Sequence, residues 1–83
     1  MGKHTFIEFV GNSWISGKAV AAYRVDAETV QLRAETTGGK IISKIKNVTN
    51  AEFEELKEAW RDGSVNHQDA AVVNRGLTYL GVL

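Results

Sequence analysis

Cysteine and proline are both absent from the 83 residues. Without cysteine there is no disulfide staple and no thiolate-bound metal. No apolar run approaches the ~20 residues that a membrane span needs. The stretch after Met1-Gly2-Lys3-His4 is too short and too interrupted for the apolar core of a secretory leader. The expectation is a cytoplasmic protein with no membrane partner. An excess of one charge is missing too, since ten basic residues cancel ten acidic ones. That argues against nucleic-acid binding driven by charge alone.

The charge is nonetheless segregated. Residues 1–49 hold seven Lys/Arg and four Asp/Glu, a balance of +3, and residues 50–83 hold three and six, a balance of −3. The length suits a single domain, 1–83, and a domain of this size buries only roughly 60–65% of its unfolded surface. Marginal burial makes each apolar residue informative.

The first part of the chain has strand periodicity. His4–Val10 is rich in aromatic and β-branched residues, Gly11-Asn12-Ser13 breaks it, and Ser16-Gly17-Lys18 signals a turn. From Ala19 to Val25, Tyr23 and Arg24 take opposite faces, with Tyr23 expected beneath a helix. Asp26-Ala27 reads as a two-residue loop. In Thr29–Thr36, Val30, Leu32 and Ala34 point one way and Gln31, Arg33 and Glu35 the other. Gly38-Gly39 suits a type I′ turn, where both central residues need positive φ. Lys40–Lys46 returns with Ile41 and Ile45 on the side assigned to the core.

The period then becomes helical. Thr49-Asn50-Ala51-Glu52 fits a capping box. Phe53, Leu56 and Trp60 form a buried stripe, acidic residues start the helix, and Arg61 and Gly63 end it. A shorter helix is expected from about His67 to Arg75, closed by Gly76, with Leu77–Leu83 as a last strand or docked tail. The fold class is therefore α+β: an antiparallel β-meander of three to four strands, then two helices on one face.

Catalytic and cofactor motifs fail on inspection. Gly11-Asn12-Ser13-Trp14-Ile15-Ser16-Gly17-Lys18 is similar to a phosphate loop, but five residues separate the glycines instead of four. Ala19 also stands where a magnesium-binding hydroxyl belongs. His67 and Asp69 are two apart, which on a helix puts them on different faces. The serines have no nucleophile-elbow surroundings. Asn47-Val48-Thr49 matches a glycosylation sequon, but Thr49 already has a role as helix cap. The expectation is no enzyme, no cofactor and no metal.

One family resemblance covers about residues 13–79. It is carried by Ser13-Trp14-Ile15, Ala22-Tyr23 with Asp26, Val30 and Leu32, Gly39-Lys40, Val48, and Phe53-Glu54-Glu55-Leu56. Ala59, Gly63, and Arg75-Gly76 before Tyr79 complete it. This layout resembles the KTSC domain, a small domain found alone or appended to some lysyl-tRNA synthetases. The resemblance implies a meander packed by helix and no enzyme activity. The chain departs from the family at Ala34 or Thr36, where an aromatic is usual, and at Ile42 and Ser43, where tyrosines are usual.

The register assumed for the two hairpins brings Arg33 opposite Lys44, with Lys46 and Arg24 on the same face, away from the helices. Like charges across a strand pair are normally destabilising, unless they receive phosphate or carboxylate groups. The expected function is a non-catalytic module binding RNA or a nucleotide through Arg24, Arg33, Lys44 and Lys46. Trp14 is the exposed aromatic available to stack. The alternative is a protein-interaction or inhibitor module, such as a phage protein that blocks a host factor. Leu77, Leu80, Val82 and Leu83, apolar and terminal, suggest a homo-oligomer, most simply a dimer.

Overall fold

The computed structural model describes residues 4–13, 16–36, 38, 40–61 and 70–82, without the side chains of 42–44 and 70. Strands β1 (Thr5–Ser13), β2 (Lys18–Arg24), β3 (Thr29–Thr36) and β4 (Ile41–Thr49) precede helices α1 (Asn50–Arg61) and α2 (Ala70–Tyr79). The strands form one antiparallel sheet in sequence order, so β1 and β4 are its edges. The α+β meander-then-helices reading holds.

Both helices lie on the face carrying Val20, Ala22, Val30, Leu32 and Val48. The capping box forms as the sequence predicts. Thr49 Oγ1 accepts from the amide of Glu52 at 3.1 Å, and Glu52 Oε1 accepts from the amide of Thr49 at 3.1 Å. Phe53 and Trp60 are buried, and Leu56 packs against them from a half-buried position.

Helix α2 differs from expectation, and its glycines explain why. Gly76 does not close the helix but lies inside it, where an added Cβ would stand 2.7 Å from Val20 Cγ2. Gly11 does not break β1. The strand runs on to Ser13 through a register shift between Phe9 and Gly11, and a Cβ at Gly11 would stand 3.1 Å from Val73. These two glycines let α2 sit close on the sheet. The stop comes at Gly81, whose φ of 82° is easy only for glycine. Its amide donates to Thr78 O at 3.0 Å and that of Val82 to Leu77 O at 2.9 Å, the paired bonds of a Schellman cap. Leu77 and Leu80 are thus buried in the chain's own core, with Val82 packed against it. The tail gives no argument for an oligomer. His67, Gly63 and Leu83 lie outside the described residues.

Candidate functional site

The hairpin turns decide which side chains reach the face opposite the helices. Val25 donates to Thr29 O at 3.0 Å, and Arg24 pairs with Val30. The β2–β3 loop is therefore 26–28, three residues long, fixed by Asp26 Oδ1 accepting from the Glu28 amide at 2.9 Å. Thr36 donates to Lys40 O at 2.8 Å, so the β3–β4 loop is 37–39, again three residues. Each loop is one residue longer than expected. Because side chains alternate with period two, each extra residue exchanges the faces of the flanking strand.

The expected basic patch is not assembled. Arg33 pairs with Ile45, and Lys46 pairs with Leu32, a core residue. Lys46 therefore lies on the helix side, its Nζ 4.5 Å from the centre of the Tyr79 ring. Arg24 lies on that side too. Its Nη1 donates to Asn50 Oδ1 at 2.6 Å and reaches the carbonyls of Asp26 and Ala27. Asn50 in turn donates to Ala27 O at 3.0 Å, so Arg24 ties the β2–β3 turn to the start of α1. Only Arg33 of the four basic residues is shown on the open face. The Lys44 side chain and Trp14 lie outside the described residues.

What occupies the open face is aromatic and aliphatic. Phe6, Phe9 and Tyr23 form an edge-to-face cluster, with Phe6 5.0 Å from Phe9 and 5.5 Å from Tyr23 between ring centres. Tyr23 was expected beneath a helix and instead lies here. Its hydroxyl donates to Glu35 Oε2 at 2.8 Å. Glu35 pairs with Ala19, four residues before Tyr23 on β2, so the ring must lie back along the strand. The small side chains of Ala19 and Ala21 give it room, and both alanines are fully buried. Burial, the hydrogen bond to Glu35 and the charge of Glu35 push the Tyr23 phenol above its ordinary 10.0, against the nearby Arg33 cation.

Arg33 is held on several sides. Its guanidinium carbon lies 3.9 Å from the centre of the Tyr23 ring. Nε donates to Gln31 Oε1 at 2.7 Å, Nη2 meets His4 Nδ1 at 2.8 Å, and Gln31 donates to Asn47 Oδ1 at 3.2 Å. This polar row borders an apolar surface. Phe6 is 46% exposed, Ile41 42% and Ile45 50%. All three sit on the open face, Phe6 paired with Tyr23, Ile41 with Glu35 and Ile45 with Arg33. The sequence reading placed both isoleucines in the core, and the loop lengths overturn that.

The two sheet edges differ. On β1, Glu8 is gripped by Lys57 at 2.9 Å and Arg61 at 3.1 Å, and Arg61 also donates to Phe9 O at 3.2 Å and Val10 O at 3.3 Å. Burial disfavours the charged Glu8 carboxylate, but these two cations outweigh it and hold its pKa below the ordinary 4.5. Two side chains of α1 thus reach the β1 edge, while α2 packs on that strand. No described side chain bonds to the backbone of β4 between Ile41 and Val48.

Among the described residues no group of three or more His, Asp or Glu side chains could hold a metal, and no helix is long and apolar enough to cross a membrane. No family model, curated protein or solved structure matches this chain, so the KTSC resemblance stands on the motif residues quoted above.

Proposed function

We propose that this chain is a non-catalytic protein-interaction module whose contact surface is the open face of its sheet. One observation carries the reading: Phe6, Ile41 and Ile45 are about half exposed on the face that the helices leave bare. Single exposed apolar side chains are ordinary. Three lie on one sheet face, the isoleucines on β4 and Phe6 in the aromatic cluster of β1 and β2, with Arg33 and Gln31 of β3 between them, and aromatic, aliphatic and arginine side chains together are of the kind that interfaces use. The RNA or nucleotide reading rests on convergent cations, and the register puts Arg24 and Lys46 on the helix side and Arg33 on the open face. Among the described residues its support on the open face shrinks to Arg33, already engaged with Tyr23, Gln31 and His4.

The test is the double substitution Ile41→Ser/Ile45→Ser. Both side chains are about half exposed and outside the core cluster, so the melting temperature should stay within a few degrees of the parent's, as surface changes cost within about 0.5 kcal/mol. Cross-linked affinity capture should then lose a defined protein partner that the parent retains. Capture of the same proteins by parent and variant would sink the reading. A nuclease-sensitive nucleic acid as the retained species would restore the anionic-ligand reading.

A further inference from the structure

Resting on that interaction reading, we infer that the occupant is an extended, acidic peptide segment of another protein that adds as a fifth strand along β4. Four observations converge on it. First, β4 is an edge of the sheet, so alternate residues turn N–H and C=O groups outward. Its nine residues offer a ledge of about 30 Å. Second, the two edges are treated differently. Lys57 and Arg61 reach Glu8 of β1, and Arg61 takes two β1 carbonyls, whereas α1 packs on the helix side of β4 and no described side chain bonds to the β4 backbone between Ile41 and Val48.

Third, the charge is one-sided. Residues 37–51 hold Lys40, Lys44 and Lys46 and no acidic residue. Lys40 and Lys46 are exposed and enter none of the ion pairs among the described residues, which are Lys57 with Glu8, Lys57 with Glu54, and Arg61 with Glu8. This decides between occupants. A second copy paired β4 to β4 would bring lysines together and is disfavoured by like charge. A strand bearing carboxylates is favoured. The same lysines thus guard the edge against self-pairing and select an acidic guest.

Fourth, β4 presents different chemistry on its two faces. Ile41 and Ile45 are exposed on the open face, and Lys46 is exposed on the helix side. A guest strand places alternate side chains on alternate faces. The matching sequence therefore alternates: apolar residues continue the Ile41 and Ile45 surface, and carboxylates lie beside Lys46.

The experiment is an amide-resolved NMR titration with an acetylated nonapeptide in which glutamate alternates with valine, and a second in which lysine replaces glutamate. The glutamate peptide should shift the amides of Ile41–Thr49 foremost and bind more tightly than the lysine peptide. Lys46→Glu should weaken the glutamate peptide about fivefold or more, the range for an exposed ion pair that is reversed, and should favour the lysine peptide. Raising the salt concentration should narrow both differences. Equal binding of the two peptides would overturn the inference. So would β4 shifts that grow with protein concentration alone, which mark a second copy, or β4 shifts elicited by an RNA oligonucleotide and not by the glutamate peptide. If β4 stays silent while Ile41→Ser/Ile45→Ser still loses its cellular partner, edge addition fails and the open-face reading survives. If the glutamate peptide adds to β4 but that variant keeps every partner, the open-face reading fails instead.

Discussion

Gly76→Ala sets two effects of opposite sign against each other. Gly76 is in the interior of α2, where glycine is less favourable than alanine by about 1 kcal/mol, and glycine also leaves the unfolded chain more freedom to lose. On propensity alone the substitution stabilises. Packing says otherwise. The new Cβ would stand 2.7 Å from Val20 Cγ2 and 3.4 Å from both Val20 Cβ and Trp60 Cζ3. Carbon pairs rest at about 3.5–4.0 Å, so the first contact demands roughly 1 Å of movement. Val20 is fully buried and Trp60 nearly so, which leaves little room to yield. Overpacking of this kind costs about 1–3 kcal/mol, enough to outweigh the propensity gain. The expected net loss is about 1 kcal/mol, a fall in melting temperature of about 4–8 °C for a domain this small.

Urea unfolding of parent and variant, with unchanged m values, would measure the loss. Val20→Ala supplies the second arm. It removes Cγ2, leaves a hole, and alone destabilises through lost burial and the cavity. In the double variant the alanine methyl at 76 enters that space, so the combined loss should fall short of the sum by about 1 kcal/mol. A Gly76→Ala protein more stable than its parent, or strict additivity with Val20→Ala, would refute the close approach of α2 to the sheet.

Other predictions follow from single contacts. Thr49→Ala breaks the reciprocal cap of α1 and should cost about 1 kcal/mol by chemical denaturation, while Thr49→Ser should cost much less. Glu8 has a folded pKa below its ordinary value, so its contribution is present above about pH 4.5 and is lost as the pH falls through the folded value. Stability of Glu8→Gln should accordingly show a shallower acid limb below that pH than the parent, and parallel limbs would refute the ion-pair assignment. Tyr23 has a raised pKa, so its contribution is present below pH 10.0 and is lost as the pH rises through the higher folded value. Ultraviolet titration should show a tyrosinate appearing above pH 10.0 that Tyr23→Phe removes; a variant that keeps it would misplace the hydroxyl.

The sequence made the fold class and the α1 stripe legible because both depend on local patterns. Thr49 and Glu52 lie three apart, and Phe53 and Trp60 recur at helical spacing, whatever the sheet does. The facing of β3 was legible for the same reason: Val30, Leu32 and Ala34 are all fully buried. The facing of its neighbours was not, because it depends on a count of loop residues. Asp26-Ala27 and Gly38-Gly39 each suit a two-residue turn, but both loops hold three residues. The first could have been anticipated. Asp26 is well placed to accept from an amide two residues on, which is how it closes the longer loop onto Glu28.

The two extra loop residues act together on the candidate site. With an odd register, Arg24, Arg33 and Lys46 share a face and the isoleucines go inward. With the observed even register, Arg24 and Lys46 join the helix side and Ile41 and Ile45 face water. The like-charge problem thereby disappears, since Arg33 meets Ile45 across the ladder instead of a lysine. An apolar surplus on the open face replaces it. The helix side shows why the surplus is not absorbed there. Val48, Leu32 and Trp60 already fill the space under α1, and α2 sits close enough that a methyl group at Gly76 would clash with Val20 and one at Gly11 would crowd Val73. A core closed this tightly leaves Ile41 and Ile45 on the open face, where the proposed partner would meet them.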